Sequence, residues 1–402
     1  MAKSILVSVG DHSADKHAAA IIKELKLIYP DLSVRGMGGP LMKDAGVDLI
    51  FNLDDLNVLG IVEVIKFLPR LLAMENHIIK EVEAAPPDLV LLVDYGGFNM
   101  RLAKKMRAKY PKMPIVYFIC PQVWASRPWR AKALAKNISR LLVIFPFEEL
   151  HYEKEGIKAT FVGHPLLKQI GDLSNYPSKA EFSKKIGFNP DNELISIFAG
   201  SRKLEIKNHM PAIVAAMEEL LQTRPGIQFI LSMANANLRA VAEAELRRSS
   251  IVAEQIGKAI FLIENDDNFN AMNTSDLVWA KSGTTTLEVS MFGTPMIIFY
   301  RGNWISYFLV ILVKTIKNIG LPNILAKRQL VPECLQLDCR AQQFIRYTKD
   351  MLDVPGLRKE ISQTLLSLRN QLEMGDQKID YVKSCANEID KYLEVQGVAS
   401  SN

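Results

Sequence analysis

Short apolar runs alternate with longer amphipathic runs through most of the chain, and that alternation is the pattern of βαβ units built on parallel sheets. Apolar runs at Ser4–Val9, Ser33–Gly36, Asp88–Asp94, Pro114–Cys120, Arg140–Phe145 and Ala159–Val162 predict strands. Helical spacing fills Asp15–Ile28, Ile61–Glu83 and Phe98–Lys109 between them. After a polar, turn-rich stretch at Gly171–Ser178 the cycle restarts. Strands are expected at Leu194–Ala199, Ile227–Ser232, Leu277–Ala280 and Met296–Tyr300, and helices at Glu205–Gln222, Leu238–Arg248 and Thr284–Phe292.

Each half opens with the same device, an apolar strand, a glycine, a polar loop and a helix: Ile5-Leu-Val-Ser-Val-Gly10 in the first, Ile195-Ser-Ile-Phe-Ala-Gly200 in the second. The economical reading is an α/β protein of two facing, Rossmann-like, doubly wound domains, at 1–170 and 171–340. Ligands of such sheets bind at the carboxyl ends of the strands, so a cleft between the domains is expected. Beyond Arg340 the pattern is purely helical, and residues 341–402 are expected to pack back on the first domain or on a partner subunit.

A length of 402 residues supports two or three domains with ample core. The balance of 49% hydrophobic and 23% charged residues excludes wholesale disorder. Four cysteines form no C-x-x-C pair, which removes zinc-ribbon and thioredoxin readings and fits a reduced cytoplasmic setting. The start of the chain is too short in apolar residues for a signal peptide. The run Trp304–Val313 is well short of the ~20 residues that span a bilayer. Between Tyr95 and Phe147 there is no acidic residue but there are eleven basic ones, a bias that favours an anionic partner if acids elsewhere in the fold do not balance it. No Asp-x-Asp occurs and the six histidines lack metal-ligand spacing, so neither a metal nor a cofactor is expected.

Two loops carry phosphate-binding chemistry. Gly200-Ser201-Arg202 ends a strand and opens a helix, presenting backbone N–H groups, a helix N-terminus and a guanidinium, with Glu205 one turn on. Ser282-Gly283-Thr284 repeats the arrangement one unit later, and Glu288 is placed to accept from ribose hydroxyls. N-capping alone explains either loop singly; two in one domain favour a nucleotide diphosphate. Asp94 ends the apolar strand Leu89–Val93, where partial desolvation raises a carboxyl pKa towards base duty. Asp11, in the loop after the first strand, is a second candidate carboxylate. Lys66 and Arg70 punctuate an unusually apolar helix, which reads as core or as a surface dipping into a leaflet.

An ordered set of segments then resembles the lipid-A-disaccharide synthase family: Val58-Leu-Gly-Ile-Val-Glu-Val, Asp94 with Phe98-Asn99, Cys120-Pro-Gln-Val-Trp-Ala, Phe145-Pro-Phe-Glu-Glu, Phe161-Val-Gly-His-Pro-Leu, Gly200-Ser-Arg, Ser282-Gly-Thr with Leu287-Glu288, and Leu321-Pro-Asn-Ile-Leu-Ala. The resemblance implies the two-domain GT-B fold and an inverting transfer from UDP-2,3-diacylglucosamine to 2,3-diacylglucosamine 1-phosphate. It implies that Asp94 activates the acceptor hydroxyl, Arg202 neutralises the diphosphate, Glu288 holds the ribose and Asn323 lies near the donor. Ser13, Asn99, Lys66 and Arg70 are expected on the acceptor and lipid side, and the protein is expected at the inner membrane surface, with a homodimer open and nucleic acid excluded. Two loops depart from the family pattern: Gly10-Asp11-His12-Ser13-Ala14-Asp15 replaces Gly-Glu-x-Ser-Gly-Asp, and Tyr95-Gly96-Gly97 replaces Ala-Pro-Asp. A non-hydrolysing UDP-sugar epimerase and a non-catalytic nucleotide-sugar-binding protein are the alternatives.

Overall fold

A computed structural model describes residues 2–53, 61–125, 128–302, 318–373 and 379–399, with the backbone alone for 61–68 and 395–399. The apolar segment Trp304–Val313 and the Lys66 side chain therefore lie outside the described residues. The chain divides into two compact units, Met1–Lys168 with Leu372–Asn402, and Gln169–Gln371.

In the first unit, seven strands form one sheet: β1 (Ser4–Ser8), β2 (Ser33–Gly38), β3 (Asp48–Asn52), β4 (Leu89–Val93), β5 (Ile115–Phe118), β6 (Arg140–Val143) and β7 (Ala159–Phe161). Their order is β3-β2-β1-β4-β5-β6-β7 and every pairing is parallel. The second unit holds a six-stranded parallel sheet of β8 (Leu194–Phe198), β9 (Gln228–Met233), β10 (Ile260–Glu264), β11 (Leu277–Lys281), β12 (Met296–Tyr300) and β13 (Glu333–Leu335), in the order β10-β9-β8-β11-β12-β13. All five residues of β4 and of β8 are buried, as expected of strands covered by helices on both faces.

Both orders reverse direction once. In the first sheet the reversal lies between β1 and β4, and in the second between β8 and β11. Crossovers leave in opposite directions there, so the loops at the carboxyl ends splay apart and leave a crevice. The Asp11 and Asp94 loops follow β1 and β4; the Gly200 and Gly283 loops follow β8 and β11. The topology thus assigns each pair of motif loops to a switch point.

The helices after residue 340 are shared between the units. Ala341–Asp353 packs on the second sheet, where the buried Trp279 indole donates to Thr348 Oγ1 at 3.1 Å and lies 4.8 Å from the Phe344 ring. Tyr381–Ala399 runs against His12–Ile28 of the first unit. It contributes Tyr381, Val382, Cys385, Ala386, Ile389 and Leu393 to that core, a stripe at helical spacing. Each large aliphatic side chain buried there stabilises the fold by about 1.5–3 kcal/mol. Among the described residues no helix is long and apolar enough to cross a membrane.

Candidate active site

Backbone strain marks the carboxyl edge of the first sheet. Asp94 and Tyr95 are consecutive left-handed residues, with φ of 49° and 53°. Each such residue costs roughly 1–2 kcal/mol, and the cost is tolerated where surrounding bonds over-determine it. Here the Asp94 carbonyl accepts from Tyr117 Oη at 2.7 Å and from Asn99 Nδ2 at 2.8 Å. The Asp94 carboxylate, half-buried, accepts from its neighbour's N–H at 2.7 Å. Burial raises its pKa above the usual carboxylate range, the charge of Asp11 raises it further, and the Tyr95 N–H acts in the opposite direction. Asp11 itself is exposed and caps His12–Ile28, accepting from the Ala14 N–H at 2.8 Å. Ser13 is exposed on the same turn. The site therefore offers one carboxylate of raised basicity with a second carboxylate beside it.

Gly10 and Tyr95 explain each other. A Cβ on Gly10 would lie 2.0 Å from Tyr95 Cγ, so only glycine lets the ring fold over the first loop and stack on Phe98. Asn99, expected on the acceptor side, is fully buried. Its amide accepts from Ser8 Oγ at 2.7 Å and donates to the carbonyls of Ser8, Val93 and Asp94. It ties the ends of β1 and β4 together and acts on the site through the Asp94 backbone. Asp15 is likewise buried, receiving the N–H groups of Gly39, Leu41 and Met42 at the start of Pro40–Asp44. Arg70 is exposed on the Ile61–Ala84 helix.

Beside this edge runs the loop after β5, with Pro121 Cγ only 2.4 Å from where a Gly96 Cβ would stand. Buried Glu148 anchors it, taking the Trp124 indole N–H at 2.8 Å and the N–H groups of Ile144 and Phe145. Burial pushes its carboxyl up to about 7 against those three donors.

In the second unit, Gly200 has φ of 129° and leaves space that the Glu205 side chain occupies, a Cβ there falling 2.7 Å from Oε2. Arg202 is exposed at the N-cap of Lys203–Thr223. Glu205, expected to contact substrate, instead accepts from the Ser201 N–H at 3.0 Å and pairs with Lys281 at 3.1 Å. Ser282 is held by its N–H to Phe299 at 2.8 Å, and Gly283 opens Thr284–Met291. A pocket of about 180 Å³ forms here, lined by Gly200, Ser201, Lys281, Gly283 and Thr284, with Asn268 from the start of the helix Asn268–Thr274. Glu288 is half-buried and bonds to no other described residue, and burial raises its pKa. A half-buried carboxylate of that kind is free to accept from water or from a hydroxyl-bearing ligand.

Asn323, expected near the donor, is fully buried. Its amide accepts from the N–H groups of Leu330 and Val331 at 2.7 and 2.9 Å and donates to Val331 O and Glu333 Oε1. Every polar atom is used within the protein, so it fixes the approach to β13. Sequence reasoning missed His209, which is buried between the ends of β8 and β12. Its Nδ1 bonds Ala199 O at 2.7 Å and its Nε2 accepts the Arg301 N–H at 3.0 Å, a pattern that selects the neutral Nδ1–H tautomer. Lys281 was missed as well. No group of three or more residues suited to hold a metal ion occurs among the described residues.

Two parallel doubly wound sheets, with the motif loops gathered at their switch points, give the chain the GT-B fold. The chain belongs to the lipid-A-disaccharide synthase family: the family model described as lipid-A-disaccharide synthetase matches residues 5–388. Lipid-A-disaccharide synthase 1 of Legionella pneumophila strain Paris is 33% identical over 372 residues, covering 92% of this chain and 94% of the relative. Among solved structures, S. aureus MnaA with UDP aligns at a TM-score of 0.61 and 16% identity over 98% of this chain and 97% of that one. The glycotransferase of kitacinnamycin aligns at 0.59 and 14%, over 97% and 98%. At those identities the structures show the fold alone. The family makes the protein an enzyme, a glycosyltransferase of lipid A biosynthesis.

Proposed function

We propose that the enzyme joins UDP-2,3-diacylglucosamine to 2,3-diacylglucosamine 1-phosphate, giving the β-1,6-linked disaccharide 1-phosphate and UDP by inverting displacement without a metal. The observation that carries the mechanism is the strained, half-buried Asp94 carboxylate, whose pKa is raised by burial and by Asp11. The acceptor's 6-hydroxyl oxygen attacks the donor's anomeric carbon as its proton passes to Asp94. The bond from that carbon to the diphosphate oxygen breaks, and UDP leaves with the electron pair. Arg202, the helix starts at Lys203 and Thr284, and the Ser201, Ser282 and Gly283 loops receive the diphosphate; Glu288 accepts from the ribose.

The first unit is then the acceptor side and the second the donor side. Asp11 and Ser13 border the acceptor, while Asn99, Asn323 and Glu205 hold the loops that do the binding. Lys104, Lys112, Lys132 and Lys136 are exposed on the first unit, as is Trp129 at 60%, which supports resting on the anionic inner-leaflet surface where both substrates reside. Asp94→Asn tests the mechanism. It keeps the acceptor for the Tyr95 N–H and should lose roughly 10²–10⁴-fold in turnover with UDP affinity intact; near-wild-type rates would exclude Asp94 as the base.

A further inference from the structure

The donor-site reading leaves Lys281, a cation of the pocket lining, without an assigned task. Lys281 is the last residue of β11, its side chain is 23% exposed, and it lines the pocket beside Ser201 and Thr284. Glu205 holds it from the far side at 3.1 Å, and the other oxygen of the same carboxylate holds the Ser201 N–H at 3.0 Å. One side chain thus ties the Gly200 loop to the end of β11. A Gly283 Cβ would stand 3.6 Å from the Lys281 ammonium, so the same charge reaches the second loop.

An ammonium has three donors, and the Glu205 contact occupies one. The remaining two belong to a group already fixed in place and partly withdrawn from water, where its charge is less screened than that of exposed Arg202. The charge on the leaving diphosphate grows as the sugar bond breaks, and a fixed cation stabilises it without reorganising. Resting on the donor-site reading above, we propose that Lys281 binds the diphosphate of the nucleotide donor and that Glu205 is its positioning residue, not a ligand of the substrate.

Calorimetric and NMR titrations of UDP and of uridine into the full chain test this. Lys281→Gln should weaken UDP by at least about tenfold, as loss of a charge-assisted contact does, and leave uridine unchanged. Lys281→Arg should recover most of the loss. Glu205→Gln should weaken UDP too, but add nothing further in the Lys281→Gln background, because it acts through the lysine. A loss below tenfold in Lys281→Gln, or an equal loss for uridine, overturns the lysine's role. Additive losses in the double variant overturn the positioning role of Glu205. Wild-type protein that binds no UDP would instead overturn the donor-site reading itself.

Discussion

Burial and the charge of Asp11 both oppose ionisation of Asp94, so the carboxylate needed for proton acceptance exists only above a pKa raised from 3.8. Turnover is predicted to fall with pH along a limb displaced above the ordinary carboxylate range, and Asp94→Asn should remove that limb together with the activity. The linkage has a definite sign: a raised carboxyl contributes stability below its unfolded pKa and loses it as pH rises through the folded value. Asp94→Asn should accordingly melt no lower than wild type at pH 7, and a clear drop in melting temperature would contradict the desolvated site. Glu288 is tested through the ribose hydroxyls. Glu288→Ala should lower UDP affinity by roughly tenfold or more, as loss of a hydrogen bond to a charged group does, and leave 2′,3′-dideoxy-UDP unaffected. If both nucleotides weaken alike in titration, Glu288 does not read the ribose. Asp94, Arg202 and Glu288 are proposed from the sequence because their side chains stand at strand ends or one helical turn beyond. Asn99, Asn323 and Glu205 stand in similar places, yet they face backbone N–H groups, carbonyls or Lys281. Which way a polar side chain turns depends on neighbours up to 91 residues away, as with Ser8 and Asn99, and composition does not encode it locally.

Among the elements, the strands missing from the sequence reading are β3, β10 and β13, and each is a sheet edge. Edge strands bury less and need less apolar sequence, and β13 has only three residues, Glu333–Leu335. The interior strands were legible because two covered faces demand a continuous apolar run. His209 shows the same limit on a helix: its spacing matched no metal motif, and its use as a tie between Ala199 and Arg301 appears only when β8 and β12 are brought near each other by β11. Burial is the largest influence on its imidazole and holds the pKa below 6.5, so the stability it contributes is present above that pH and is lost as pH falls below it. His209→Gln cannot titrate. At pH 7.5 the variant should be less stable by about 1–3 kcal/mol, the cost of disturbing buried hydrogen bonds, and the gap should narrow by pH 5.5. Denaturant melts at the two pH values check this; a gap that widens on acidification would contradict the neutral tautomer.

For the whole molecule, the acid-free stretch from Tyr95 to Phe147 is partly balanced by acids from other elements. Arg101 and Lys105 meet buried Glu75 at 2.6 and 3.0 Å, Lys109 pairs with Glu83, and Arg140 pairs with Glu388. The exposed Lys104, Lys112, Lys132 and Lys136 would give the proposed membrane contact a modest electrostatic anchor. Pelleting with anionic vesicles should therefore be partial at low salt and fall sharply at high salt as the Debye length shortens; salt-insensitive pelleting would point to apolar insertion instead. The most direct test of the account is a product assay on the purified chain with UDP-2,3-diacylglucosamine and 2,3-diacylglucosamine 1-phosphate in detergent and EDTA, run beside Asp94→Asn. Disaccharide 1-phosphate and UDP formed by the wild type and lost in the variant is the predicted result. No disaccharide from a wild type that still binds UDP, or undiminished product from Asp94→Asn, would contradict it.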